Sequence, residues 1–466
     1  MKMKTNILLF TLFFTSLLFS CRSAAQQIKR TVKETPLLTV NDSALVNRSY
    51  VFTNDMRKVA CCVRDGKKQR VLVNGFKGNA YDSVCNPVFS PDGNSFMYRA
   101  LQDKHWLWIT ADDKEFKTEK NDSIIFVRYS PNNRDIAYVA ASDKGLAMVF
   151  NGTRSRLYDH IDDNSIVFSK DGKKIYYTAV LKNKMFIVAD NREGIPYDQV
   201  GFPVLSSDDN RLAYWAINGK NYYVVVDGKI SKPYERAGPV IFGNGGKHYA
   251  FTAMLDGKHI VVFDGVQSEK YIFVHTLLFS PDGNRLAYAL EATELGKDGF
   301  NHYISLDGKK SELYETVVEE SLKFSADSKI LAFEAEIHDA FFIVANGKES
   351  KHYSDVLQTT VVFSEDDRRI AFAAEDDTKR FVVVDQVEGQ PYQDVFHIVF
   401  SPDGERVVYS AKLDNKELVV VHGINGVSYD ELPGLGMIHF ESPDSFYYLA
   451  RKGDRILLVE EKIENK

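Results

Sequence analysis

The stretch FSPDGNRLAY, Phe279 to Tyr288, is the unit from which the rest of the chain can be read. Pro281 presets φ for the first corner of a tight turn, Asp282 can bond its own backbone, and Gly283 takes the positive φ that other residues resist. Leu286, Ala287 and Tyr288 then begin a returning strand. Degraded copies recur eleven times in the 466 residues, anchored on Phe52, Phe89, Tyr129, Phe168, Leu205, Phe242, Phe279, Phe324, Phe363, Phe400 and Phe440. The anchors lie 37 to 45 residues apart, mostly 37 to 40. A period of about 39 is the size of one four-stranded propeller blade.

More than the turn repeats. Seven residues past the anchor comes a large apolar residue (Ile136, Leu212, Ile370), then a small one (Ala137, Ala213, Ala371), then an aromatic (Tyr138, Tyr214, Phe372). Apolar side chains therefore face both sides of this second strand. A third strand follows as a short unbroken apolar run, as at Tyr223–Val226 and Leu418–Val421. Such runs mark strands covered on both faces. A fourth, more polar segment carries a tyrosine: Tyr81, Tyr158, Tyr197, Tyr234, Tyr271, Tyr314, Tyr353, Tyr392, Tyr429. The expected fold is all-β, a β-propeller of about eleven four-stranded repeats. No segment sustains the 3.6 period of a helical solenoid.

The last unit stops after its third strand, Ile456–Val459, and Leu37–Val40 is the segment expected to supply the missing edge. Pairing the first and last segments in one blade would hide that edge. Eleven units exceed the four to eight blades of common rings. The expectation is therefore two successive rings of five or six blades, with a boundary near residue 240, over a single large ring. Residues 1–20 read as a signal peptide, 21–38 as a lipid-anchored tether and 39–466 as the repeat array.

FSPDG followed by RLAY resembles the WD-like propeller repeat of the TolB type, also found in relatives of prolyl oligopeptidase. The resemblance covers residues 39–466, strongest at Phe89–Tyr98, Phe279–Tyr288 and Phe400–Tyr409. The tyrosine segment departs from that pattern and is similar to the tyrosine-aspartate segments of WG-type repeats. At the N-terminus, Lys2 and Lys4 precede an apolar run, Ile7 to Phe19, too short for a stable span, which ends Leu18-Phe19-Ser20-Cys21. These residues resemble the lipobox of bacterial lipoproteins. The resemblance implies cleavage before Cys21 and a diacylglycerol on its thiol. An ordinary signal cleaved near Ser23-Ala24-Ala25 is the second reading of the same residues.

Net charge is −6, with acidic and basic residues interleaved, so no basic stripe invites nucleic acid or an anionic membrane surface. Cys61 and Cys62 are neighbours on one strand and point to opposite faces. One of them can pair with Cys85, although small buried hydrophobes is the favoured role. The aspartates of the turns read as turn chemistry, the repeated tyrosines as packing between blades, and Trp106 and Trp108 as strand packing on one side. The eleven histidines form no HExxH or other close ligand pair. No catalytic residue, cofactor or metal ligand is assigned. The unit with the longest spacing carries an extended loop, Glu291–Asn301, whose Glu291, Glu294, Lys297 and Asp298 form the candidate binding loop. The expected role is an envelope-anchored, non-catalytic scaffold, held at the membrane by its N-terminal lipid. Its partner would be an envelope protein, peptide or glycan. The alternative is an envelope enzyme, such as a metal-assisted polysaccharide lyase with its site on a propeller axis.

Overall fold

The computed structural model describes residues 29–464, apart from 47–49, 86, 117–122, 134, 292–295, 297–298 and 300–301. Among the described residues the chain is strand and turn, with three short 3-10 turns and no α-helix. Eleven antiparallel sheets follow one another in chain order. Blade one spans 51–77, two 83–110, three 123–154, four 160–193, five 199–230 and six 236–267. Blade seven spans 273–310, eight 316–349, nine 355–388, ten 394–429 and eleven 438–464 with 29–39.

Blade five shows the template. Its first strand is interrupted, Gln199–Val200 and Val204–Leu205, and both pieces pair with Leu212–Asn218. That strand pairs with Asn221–Val226, which pairs with the two-residue edge Lys229–Ile230. First strands, at the inner rim, are broken or bulged in most blades. They line that rim: Ile241–Phe242 of blade six approaches Phe273–Phe279 of blade seven. The first-to-second and third-to-fourth turns share one face of the ring. The second-to-third hairpins and the connectors between blades share the other.

The turn face explains each letter of the repeat. Ser90 Oγ donates to Asp92 Oδ1 at 2.7 Å and accepts from Ser95 N at 2.9 Å. The same relay recurs at Ser169 with Asp171 and at Ser325 with Asp327. Arg285 donates from Nε to Asp307 Oδ2, 2.8 Å, in its own third-to-fourth turn, and from Nη1 to Ser328 O, 3.1 Å, in the next blade. Arg211 and Arg369 make the equivalent links. Gly283 has φ +73, and a Cβ there would lie 2.3 Å from Asn244 N of the neighbouring turn. Only glycine permits that approach. The aspartates therefore hold turns, as their position predicted.

The tyrosines pack between blades. Tyr271, Tyr314, Tyr353 and Tyr429 are buried, each edge-on to an aromatic of the following blade, Tyr288, Phe333, Phe372 and Tyr448. Tyr271, Tyr314 and Tyr353 lie just past the short edge strand, where a backbone bridge such as His259 with Tyr271 continues the pairing, while Tyr429 ends the longer edge strand Ile424–Tyr429. Cys61 packs between blades eleven and one, Cys62 between one and two, so their side chains do face opposite ways. Burial pushes both thiols up to about 12. Cys85 is exposed, and none of the three forms a disulfide.

Two expectations are corrected. The blades form one ring. Apolar clusters join one to two, two to three, and so on without interruption to ten with eleven and eleven with one. At the supposed boundary near 240, Val224 and Val226 of blade five pack with Phe251 and Val262 of blade six like any other pair. Among the described residues only one sheet mixes the two ends of the chain, and a second ring would need another.

The second correction concerns the tether. Residues 29–38 belong to the ring, because Lys29–Thr39 pairs antiparallel with Arg455–Glu464 over its whole length. The segment looked like a tether because an outermost strand is half solvated and its polar residues find partners across the pair. Lys29 meets Glu464 at 2.8 Å and Lys33 meets Glu460 at 2.6 Å. Leu37–Val40 does lie at this edge as expected, with Leu38 and Val40 buried. Residues 21–28 and Cys21 lie outside the described residues.

Candidate functional site

Ten blades keep close to the template on the hairpin face. In blades four, eight, nine and ten the second-to-third turn is two residues, both at positive φ (Lys182-Asn183, His338-Asp339, Asp377-Thr378, Asp414-Asn415). That is the turn whose twist suits a hairpin. In blades four, five, six, eight and eleven an acid after the preceding tyrosine caps the turn, and in blade ten Gln393 does so, whereas blade nine has Ser354 there. Asp198 accepts from Gly219 N at 2.6 Å, Glu315 from His338 N at 2.8 Å, and Asp430 from Gly453 N at 2.6 Å. The tyrosine-acid pair of the sequence is therefore a hairpin clamp.

Blade seven lacks the acid too, and it alone among the eleven blades lengthens the turn. Ile272 stands where the acid belongs, and ten residues, 292–301, replace the two-residue turn. Ile272 and Phe273 are exposed beside it. The root of the long hairpin is fixed by pairing, with Glu291 and His302 directly opposite at the ends of Leu286–Glu291 and His302–Leu306. Cross-strand neighbours on one face lie close enough to interact. His275 joins them from the first strand, Phe273–Phe279, at the irregularity between Val274 and Leu277 that turns its side chain towards the second strand.

Three segments thus converge. His275 Nε2 lies 3.1 Å from Glu291 Oε1, and His302 Nε2 lies 3.5 Å from the same oxygen. One ligand atom from each of the three falls within 4.8 Å of the others. A fourth group arrives from blade eight: Glu319, on the 3-10 turn Glu319–Ser321, pairs with His275 Nδ1. The side chains of His275, Glu291 and His302 are 16, 26 and 25% exposed, so the cluster sits at the surface end of the blade. His259 extends it, its ring 4.4 Å from Phe273, which is 4.7 Å from His275. Burial, and then the neighbouring His275, lower the His259 imidazole below its ordinary value. Two imidazoles and a carboxylate are ligands suited to a borderline divalent cation.

Of the candidate loop, Glu291 belongs to this cluster, while Glu294, Lys297 and Asp298 lie outside the described residues. His275, His302 and Glu319 were not singled out by the sequence, although Ile272 in the acid position was a readable sign. Trp108 packs as expected and donates from Nε1 to Ile124 O at 3.2 Å. Trp106 is 41% exposed under Arg99 instead. The glycine-rich segment Gly243-Asn244-Gly245-Gly246 is the first-to-second turn of blade six, closed by the 3-10 turn Asn244–Gly246.

No family model and no curated relative matches this chain. Solved propellers resemble it in part. The Dos1 propeller is 13% identical over 74% of this chain and 93% of that one, with a TM-score of 0.29. The propeller domain of the Trilobed protease from Pyrococcus furiosus is 14% identical over 65% and 94%, at 0.27. Dihydro-heme d1 dehydrogenase NirN in complex with DHE is 12% identical over 57% of this chain, at 0.29, and this chain spans 65% of its length. Likeness at these TM-scores carries no argument, and the fold is read from this chain's own sheets. Blade number and closure are properties of this chain's own sheets.

Proposed function

We propose that this chain is a lipid-anchored binding scaffold of a bacterial envelope, and that it recognises its partner on the hairpin face of blade seven. The observation that carries the reading is local: there the acid of the hairpin clamp is replaced by Ile272, the connection between the second and third strands lengthens to ten residues, and Ile272 and Phe273 are exposed. Long loops on stiff scaffolds are where recognition concentrates. A propeller scaffold suits binding of a protein, peptide or glycan, and the ring supplies the stiffness. The anchor is supported by Lys2, Lys4, the run Ile7–Phe19 and Cys21, and the TolB-type resemblance of the repeats is consistent with an envelope setting.

The test is capture of partners by the acylated chain from solubilised envelope, beside a variant in which 292–301 are replaced by Asn-Gly. A reproducible partner lost with the loop supports the proposal. An identical set of captured molecules with and without the loop contradicts it. Cys21→Ser should also release the chain from the membrane fraction, and unchanged fractionation would refute the anchor.

The cluster of His275, Glu291 and His302 favours one second reading, a metal-assisted polysaccharide lyase. It lies within blade seven and its neighbour, and is not assembled from many blades around the axis. Formation of an unsaturated sugar product from acidic polysaccharide by the purified chain would shift the reading to the enzyme.

A further inference from the structure

We infer that His275, Glu291 and His302 bind a divalent transition-metal ion of the zinc class, with Glu319 orienting His275. A cation bound at about 2.0–2.2 Å in tetrahedral geometry holds its ligand atoms roughly 3.3 Å apart. His275 Nε2 and His302 Nε2 already lie 3.1 and 3.5 Å from Glu291 Oε1. No large rearrangement of the strands is needed to admit the ion.

Glu319 backs His275 on the side away from Glu291. It takes the Nδ1 side of His275, leaving Nε2 aimed at Glu291. With a metal, Nδ1–H donates to Glu319 while the Nε2 lone pair binds the ion. A carboxylate behind a ligating imidazole commonly fixes its tautomer and raises its basicity. His302 has no matching support: its Nδ1 is enclosed without a hydrogen-bond partner among the described residues. His275 is therefore the oriented ligand and His302 the weaker one.

Two imidazoles select a borderline cation over calcium or magnesium, which prefer all-oxygen shells. Three protein ligands leave one tetrahedral position open, and the partial exposure of all three leaves it accessible to solvent. That position would take a donor atom from whatever blade seven binds. This last point rests on the function proposed above, whereas the metal site itself does not.

The experiment uses the full mature chain, stripped by a chelator and titrated with Zn²⁺ alone. The expected result is one Zn²⁺ per chain, with no comparable uptake of Mg²⁺ or Ca²⁺, and an X-ray absorption spectrum showing two imidazoles. His275→Ala and His302→Ala should each abolish stoichiometric binding, and His259→Ala should keep it. Glu319→Ala should weaken affinity about 10–100-fold at an unchanged melting temperature, with partial rescue by Glu319→Gln. Should His275→Ala fail to fold, His302→Gln and the absorption spectrum of the unaltered chain decide the matter. Absence of stoichiometric zinc, a spectrum without imidazole scattering, or undiminished binding in the His302 variants would overturn the site in favour of the ion pair. Partner capture is measured separately, so either result can fail alone.

Discussion

Ser280 is a single hydroxyl with two duties, donating to Asp282 and accepting from Arg285 N at 3.0 Å. Its hydroxyl, and the hydrogen bond that Asn284 gives, hold the Asp282 carboxyl below its ordinary range. Ser280→Ala leaves the part-buried Arg285 amide without this acceptor, so a loss of about 1 kcal/mol is expected by denaturant unfolding, with little effect from Ala at exposed Asn284. Glu334 is the opposite case, a carboxyl 2% exposed on the second strand of blade eight. Burial first, and then the nearby Asp355 and Glu336, raise it to about 8. The unfolded chain ionises Glu334 near its ordinary value, so its burial costs nothing below about pH 4.5 and costs increasingly as pH rises to about 8. Glu334→Gln should therefore leave melting unchanged near pH 4. At pH 8 it should raise stability by up to a few kcal/mol. A variant that lowers stability at pH 8 would show instead that the carboxyl is paired and ionised.

At the scale of elements, the closing strand carries the most concentrated chemistry. Arg30 Nε reaches Glu461 Oε2 at 2.6 Å with both side chains buried, and Tyr448 donates to Glu461 Oε1 at 2.6 Å. Removing one partner of a buried pair leaves a charge stranded and costs about 3–5 kcal/mol. Glu461→Gln should approach that loss. Glu460→Gln, which removes the exposed pair with Lys33, should cost no more than about 1 kcal/mol. Equal losses would place Arg30 outside the last blade. The hairpin clamp gives a second check: Asp198→Ala should speed hydrogen exchange at Gly219 N, its partner at 2.6 Å, and leave blade seven unaffected.

The whole molecule was partly legible because a repeat writes itself many times. Pro, Asp and Gly in the turns, apolar residues on both faces of Ala213 and Tyr214, and the missing edge after Ile456–Val459 all state local requirements, and local requirements appear in sequence. Ring size does not, since Val224 against Phe251 packs alike whether the circuit closes after six blades or eleven. The serine relay and the tyrosine-acid clamp repeat visibly, but their partners are backbone amides that sequence does not display. His275, Glu291, His302 and Glu319 stand on four separated segments, and sheet register with one irregular strand brings them together. Glu291 was within reach because it begins the one long hairpin. His275 was not, because a lone histidine in an apolar strand looks like packing.

Closure of all eleven blades in one circuit is the claim on which the rest depends. Lys33 and Glu460 are opposed in the closing pair. With Cys85 changed to Ser, Lys33→Cys and Glu460→Cys together should form an intramolecular disulfide under mild oxidation, seen by peptide mass spectrometry. Two separate rings would close the first strand against a blade near the middle of the chain. Failure of residues 33 and 460 to join, in a chain that melts like the parent, would contradict the single ring.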